Sequence, residues 1–419
     1  PQKAMAANED YIKTLVNTVS GYMSEFDSDS GSFGDGCAIG TVYARTREMA
    51  KCFKTLKILG RNDLDTGVLA AEIKALLEYL YKNDFSDNAK LAPVNNWFMN
   101  LVTYPMQFAD SLMLMRDEIN DADMQKYLNT WLVITASPFV TKFQVPYKYD
   151  THDAKADLSN PCSNYSNLLW RSHAALRLAV LKKDAARANS ILKYLNGVFR
   201  YTKSSTDGKP QPIKDGFYRD GGFVFHTYYA YNTGYGNSYA AELAELLCTT
   251  GGTVFDIRNV YGYENVYGFA ENSWIPFIYS NQLNKFASGR ELPKMADAMA
   301  TSVMIILSYA PENVKTELGA KLRNQMKNDV SRYKKITARI SGYYSMIYPE
   351  IELKVKDIAA YLETLEANED TYSKVFASTD RVIHKKPGYT FMLAMSSERI
   401  DRYEAINDSG YSDWYIGDG

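Results

Sequence analysis

The chain has 419 residues, 46% of them apolar and 23% charged, which is enough for a sizeable core and an ordinary charge content for a globular protein. A net charge of −2 gives no global field for nucleic acid, so a polyanionic partner would need a local basic groove. No apolar run approaches the roughly 18 residues of a membrane span, and Cys37, Cys52, Cys162 and Cys248 are too widely spaced for a zinc site or a dense disulfide framework. At about 150 residues per domain the length suggests two or three units, although a closed helical ring can run longer as one domain. No signal peptide is visible. The chain begins at Pro1 rather than Met and ends inside Gly417-Asp418-Gly419, the pattern of a processed form or a fragment.

The first two-thirds read as serial amphipathic helices. Met49, Cys52, Phe53 and Leu56 share one helical face, and Gly60 is a natural C-terminal stop. Val68, Leu69, Ile73, Leu76, Leu77 and Leu80 repeat the one-sided pattern. Met124, Tyr127, Leu128, Trp131 and Leu132 mark another helix, and so do Ile191, Leu192, Leu195, Val198 and Phe199. Further helices are expected over residues 166–183, 238–247, 293–308 and 353–365. Ten or more helices with few strand signals imply an all-α body. Helical hairpins side by side can form a bundle, a solenoid or a closed ring, and periodicity does not choose among them.

Polar, Gly- and Tyr-rich connections lie at 28–40, 147–164, 203–218 and 229–237. Connections of this length are unusual unless they build something, such as a binding cleft. Near the end, Tyr389, Phe391 and Leu393 alternate with Thr390, Met392 and Ala394, as a strand does. The segment after about Lys385 reads as the entry to a β-rich domain that the chain does not complete.

There are 33 tyrosines and only four histidines. A tyrosine ring can lie on a sugar face while its hydroxyl bonds sugar oxygens, and the same ring serves equally well at a helix interface. No HExxH, Walker loop or GxSxG is present. The informative stretch is Asp220-Gly221-Gly222-Phe223-Val224-Phe225-His226, followed by Tyr231-Asn232-Thr233-Gly234-Tyr235-Gly236. It places a near-neutral base and phenols in a glycine-rich loop, which suggests mobile backbone before a helix. By spacing alone, a loop histidine is more often structural than catalytic.

These residues stand in a wider pattern. His226 is followed nine residues later by the Tyr235-Gly236 pair. Gly289-Arg290 comes next, with Lys294 four residues on. Then come Pro387-Gly388, Met395-Ser396-Ser397, Arg399-Ile400, Tyr403-Glu404, Asn407 and Trp414-Tyr415-Ile416-Gly417-Asp418-Gly419. Upstream stands Asn96-Trp97-Phe98. In this order the blocks resemble polysaccharide lyase family 8, which includes hyaluronate, chondroitin and xanthan lyases. The likeness runs from about Asn96 to Gly419. One block departs from it: Thr151-His152-Asp153-Ala154 has Ala where the family's Thr-Gly-Ala-Asn has its Asn. An alignment through the next helix places Asn167 in that role, with Asn164 as the reserve. Tyr165-Ser166-Asn167 with Arg171 and His173 also resembles the broad-specificity chondroitin ABC lyases.

The resemblance implies an (α/α) toroid over residues 1–385, here an incomplete ring of helical hairpins, and the first strands of a truncated β-sandwich over 386–419. It implies β-elimination on a uronic-acid polysaccharide such as chondroitin sulfate, dermatan sulfate or hyaluronan, with xanthan the alternative. A secreted or periplasmic monomer is expected, without cofactor, metal or nucleic-acid partner.

The residue roles that the resemblance implies suit the chemistry. The C5 proton of a uronic acid is very weakly acidic while its carboxylate stays charged, so an amide aimed at that carboxylate helps spread the developing charge. Asn167 is assigned this contact. A phenol is too weak a base at neutral pH unless a cation favours phenolate, which is the role of Arg290 beside Tyr235. His226 polarises the carboxylate or serves as a second base on the opposite sugar face. Glu404 holds Arg290 or His226, and reaching that loop calls for the sheet as support. Asn96, Trp97 and Phe98 form an aromatic patch under the sugar chain, and Lys294 and Asn407 add contacts. His152, His173 and His384 are assigned structural or surface places. One rival is an (α/α) glycoside hydrolase, which needs two opposed carboxylates and could recruit Asp153, Asp157 or Asp220. The other is a glycan-binding protein without catalysis.

Overall fold

The computed structural model describes residues 9–34, 36–85, 98–134, 165–202, 215–280, 282–291, 296–335, 349–368 and 371–404. The expected site residues Asn96, Trp97, Asn164, Lys294 and Asn407 lie outside them, as do Asp153 and Asp157. The chain divides into two compact units, Pro1–Leu195 and Asn196–Gly419.

The first unit is helical, with one small hairpin. Its helices are α1 (Glu9–Glu25), α2 (Ile39–Leu59), α3 (Thr66–Leu80), α4 (Tyr104–Met115), α5 (Asp121–Ile134), α6 (Tyr165–Leu181) and α7 (Ala185–Tyr194). Strands β1 (Phe26–Asp27) and β2 (Ser32–Phe33) pair between α1 and α2. Helix α3 shows how the sequence sets an element. Asp65 caps it by accepting from the backbone N–H of Gly67 and Val68, at 2.8 and 3.1 Å. Leu69, Ile73, Leu76, Leu77 and Leu80 are then fully buried on one face, each worth about 1.5–3 kcal/mol relative to exposure. Val68, expected on that face, is 47% exposed because the buried stripe begins at Leu69. Gly60 ends α2 in the left-handed conformation, its N–H returning to Leu56 O. Helix α2 packs on α3 and α4, α4 on α6, and α6 on α7. Across one of these contacts Arg177 and Asp110 form a buried pair at 2.7 Å.

The second unit wraps helices and short strands around an aromatic core. Strands β3 (Gly216–Phe217), β4 (Phe223–Phe225) and β5 (Tyr229–Ala230) make one antiparallel sheet. Helix α8 (Tyr235–Thr250) follows, then α9 (Asn265–Phe269) and the hairpin β6 (Ile278–Tyr279) with β7 (Gln282–Leu283). Helices α10 (Asp297–Ser308), α11 (Glu312–Met326) and α12 (Pro349–Thr364) complete the helical part, with α10 packed on α8, α11 and α12. Phe217, Phe223, Tyr239, Phe269 and Trp274 are fully buried together, Phe217 stacking on Phe269 at 4.1 Å between ring centroids.

The last sheet is antiparallel, in the order β8 (Tyr372–Phe376), β9 (Arg381–Lys386), β10 (Tyr389–Ala394). It begins at Tyr372, so the division expected at 385/386 falls inside β9. The alternation expected in β10 is present. Its Met392 side packs on Ile383 and Phe376, and its Tyr389, Phe391 and Leu393 side is exposed. The tyrosines are found both inside and on the surface: Tyr43, Tyr231 and Tyr239 are fully buried, whereas Tyr228, Tyr261 and Tyr389 face solvent.

Candidate active site

His226 sits at the turn between β4 and β5, and Tyr235 is the first residue of α8. The stretch between them is what the chain needs to leave the turn, run β5 and start the helix. His226 and Thr227 both have positive φ, 52° and 75°, a conformation that costs an L-residue roughly 1–2 kcal/mol. Surrounding bonds hold the turn: Thr227 N–H donates to Asp215 at 2.7 Å and Tyr228 N–H to His226 O at 2.9 Å. Below it, the buried Asn232 accepts from Phe223 N–H at 3.1 Å and donates to Gly221 O and Ser273 O at 2.9 and 3.0 Å. The loop carrying Arg290 is tied to the same stretch by Thr233 N–H to Ala287 O, 2.9 Å, and Gly289 N–H to Ala230 O, 3.1 Å.

Glu404 arrives from far along the sequence. Ile400 is fully buried against Tyr218 and Val224, and Asp401 N–H donates to Tyr228 O at 2.8 Å. Arg399 donates to Asp380 at 2.9 Å, in the turn between β8 and β9. These anchors, together with the three-stranded sheet, deliver the Glu404 carboxylate to the His226 turn.

There the four expected residues meet. Glu404 Oε1 lies 2.8 Å from His226 Nδ1 and 3.1 Å from Arg290 Nη1. Arg290 Nη2 donates to the Tyr235 hydroxyl at 3.2 Å. The His226 and Tyr235 rings stand edge to face, 5.0 Å apart. A carboxylate only accepts, so Nδ1 carries a proton in the His226 pair. Burial pushes the Glu404 carboxyl up, but hydrogen bonds from His226 and Tyr231, with the charges of His226 and Arg290, outweigh it and hold the group below its usual range. An ionised Glu404 therefore fixes both partners, and a phenolate at Tyr235 would be charge-paired with Arg290.

The sequence reading left one residue without a role here. Tyr231 is fully buried, and its hydroxyl donates to Glu404 Oε2 while accepting the Arg290 backbone N–H at 3.2 Å. Burial first, then the Glu404 bond and charge, push its phenol far above the usual range, so it stays a neutral donor. The glycines of this region also serve a different end from mobility. An added Cβ would meet Asn272 O at 2.2 Å from Gly221, Ser378 Oγ at 2.0 Å from Gly222, and the Tyr231 ring at 2.5 Å from Gly234 and 1.9 Å from Gly289. They allow close approach. Asp220 completes this docking: its carboxylate accepts from Ser378 N–H at 2.7 Å, Ser378 Oγ at 2.8 Å and Gly222 N–H at 2.9 Å.

Two other expected site residues that the structure describes, Asn167 and Phe98, belong to the first unit. Asn167 is 7% exposed near the start of α6, and its Oδ1 has no hydrogen-bond partner among the described residues. Phe98 is half-buried with its ring edge-on to Trp170, 5.2 Å between centroids. His173 is fully buried, and His384 bonds Ser373 on the last sheet of the second unit.

The sequence matches polysaccharide lyase family 8 in two parts, its N-terminal α-helical domain over residues 8–322 and its super-sandwich domain over 371–419. The chain belongs to polysaccharide lyase family 8, with the helical (α/α) fold class followed by the first sandwich strands. It is 25% identical to a xanthan lyase of Bacillus sp. over 398 residues, 91% of this chain and 37% of that one. It is 21% identical to a hyaluronate lyase of Staphylococcus aureus over 426 residues, 95% and 50% of the two. Among solved structures, Paenibacillus xanthan lyase superposes with a TM-score of 0.77 at 24% identity, over 100% of this chain and 37% of that one. The chondroitin AC lyase of Streptomyces coelicolor, solved with chondroitin sulphate, gives 0.73 at 18% identity over 94% and 51%. The chain thus spans between a third and about half of the length of these relatives. Among the described residues no helix is long and apolar enough to cross a membrane.

Proposed function

We propose that the protein is a carbon–oxygen lyase that cleaves a uronic-acid polysaccharide by β-elimination. One observation carries the reading: Arg290 bonds both the Tyr235 hydroxyl and Glu404, and His226 shares the same carboxylate oxygen. Tyr235, as phenolate, takes the C5 proton. The electrons of that C–H bond form the C4–C5 double bond, and the C4–O bond breaks toward the glycosidic oxygen. The proton gained by Tyr235 then passes to that oxygen. His226 polarises the uronate carboxylate or removes the proton from the other sugar face, and Asn167 donates to the carboxylate as charge develops. Phe98, with Trp97 and Asn96, makes the sugar-stacking patch, and Lys294 and Asn407 bind the chain.

The preferred substrates are glycosaminoglycans: chondroitin sulfate, dermatan sulfate or hyaluronan. Xanthan is the second reading, favoured by the xanthan lyase likeness over 91% of the chain. A monomer acting outside the cell or in the periplasm fits such substrates. The hydrolase rival is weakened at Asp220, whose carboxylate is already taken by three donors from Ser378 and Gly222. The test is ultraviolet absorbance during digestion of a panel of acidic polysaccharides. New absorbance from the C4–C5 double bond supports elimination and ranks the substrates. Shortened chains without it would favour hydrolysis, and binding without cleavage would favour the glycan-binding rival.

A further inference from the structure

Glu404 must do two things with one carboxylate, and the bond that lets it do both comes from Tyr231. Its Oε1 serves His226 at 2.8 Å and Arg290 at 3.1 Å. A carboxylate held only through one oxygen can rotate about its Cγ–Cδ bond and trade one partner for the other. Its Oε2 is bonded by the Tyr231 hydroxyl. That hydroxyl also accepts the Arg290 backbone N–H at 3.2 Å, which ties the start of the arginine to the same point.

The phenol has little freedom of its own. Its ring fills a slot between Gly234 and Gly289, where any Cβ would overlap it, at 2.5 and 1.9 Å. Its backbone is fixed too: Tyr231 N–H donates to Phe223 O at 2.9 Å, and Gly236 N–H donates to Tyr231 O at 2.9 Å. A rigid ring with no exposed surface thus presents one hydroxyl to the carboxylate. We propose that Tyr231 is the positioning residue of this site, pinning Glu404 so that its other oxygen holds His226 and Arg290 together. The proposal rests on the β-elimination reading for its catalytic consequence, though not for the contact itself.

The groups that face Glu404 are His226, Arg290 and Tyr231, with Tyr229 and Asp401 nearby. Removing the Tyr231 hydroxyl takes away a bond that favours the ionised carboxylate, so the pH at which Glu404 protonates rises. The acid limb of activity should move up with it.

The experiment is a double-mutant cycle of wild type, Tyr231→Phe, Glu404→Gln and the pair, read in two ways. Melting temperatures at neutral pH need no activity, and the Phe ring still fills its slot. Here the proposal expects non-additivity: Tyr231→Phe lowers the melting temperature of wild type, and lowers that of Glu404→Gln by much less. In turnover, Tyr231→Phe should lower kcat by about 10- to 100-fold, the size of one hydrogen bond to a charged group, with KM nearly unchanged and the acid limb shifted upward. Added to Glu404→Gln, it should cost clearly less than in wild type, the remaining loss being that of the acceptor for the Arg290 backbone N–H. Additive melting temperatures, or a kcat loss with an unmoved acid limb, would overturn the proposal. If no variant, wild type included, gives unsaturated product, the function reading fails while the melting cycle still decides the role of Tyr231.

Discussion

Gly289→Ala strikes the site without altering a single polar side chain. Gly289 has a φ of +64°, which costs an L-residue roughly 1–2 kcal/mol. Its new Cβ would fall 1.9 Å from the Tyr231 ring, and the ring cannot retreat toward Gly234, where the clearance for a Cβ is already only 2.5 Å. Overpacking of this kind costs about 1–3 kcal/mol. The sum is about 2–5 kcal/mol, and at roughly 2–4 °C per kcal/mol the melting transition should fall by at least ~4 °C. Gly388→Ala, in the turn between β9 and β10, is the control. Gly388 has a φ of +86° with nothing within 4 Å of the added Cβ, so the substitution keeps the backbone strain and lacks the clash. Thermal melts followed by circular dichroism should show the control shifting the transition by about half as much or less. Turnover should collapse only in Gly289→Ala. Equal shifts in the two variants, or a stable and fully active Gly289→Ala protein, would refute the packing argument.

Four further outcomes are expected. Tyr235→Phe should keep the fold and lower turnover by roughly 10²–10⁴, the range for loss of a general acid–base group; near-normal absorbance rates would remove Tyr235 from its role. Arg290→Ala should move the pH optimum upward, since the cation favouring phenolate is gone; an unmoved profile with weaker substrate affinity would mean that Arg290 only binds the polyanion. Asn167→Ala should lower kcat far more than Asn164→Ala, because an amide aimed at developing charge acts in the transition state; the reverse order would move the carboxylate contact by three residues. Glu404→Gln tests the linkage of pH to stability. Because the folded Glu404 is held below its usual range, its contribution is present above the unfolded value of about 4.5 and is lost as pH falls through the folded one. The melting-temperature gap between wild type and variant should therefore be full at neutral pH and close in strong acid, and a gap constant with pH would contradict this.

The helices were legible in the sequence because their apolar stripes are local. Leu69 to Leu80 and Met49 to Leu56 bury the faces that their spacing implies, and Gly60 stops its helix as expected. Val68 shows the limit, since a stripe's edge depends on what packs beside it. His226 and Glu404 are 178 residues apart, and no periodicity joins them; the family resemblance named both. Tyr231 went without a role because the glycines around it look like looseness in one dimension. Only the fold reveals that Gly234 and Gly289 close on its ring. A signal was available: a tyrosine four residues before Tyr235, with glycines nearby in both loops. Asp220 was likewise open to a catalytic reading until its bonds to Ser378 accounted for it.

The proposed reaction is elimination from the polysaccharide at a centre built on Tyr235, Arg290, His226 and Glu404. Digestion in ¹⁸O-labelled water, followed by mass spectrometry of the products, tests it most directly. Elimination adds no water, so the product masses should sum to that of the substrate, one product should carry the double bond, and neither should carry the label at the cleaved linkage. Products that together are one water heavier, with ¹⁸O at the cleaved bond, would show hydrolysis and contradict the account.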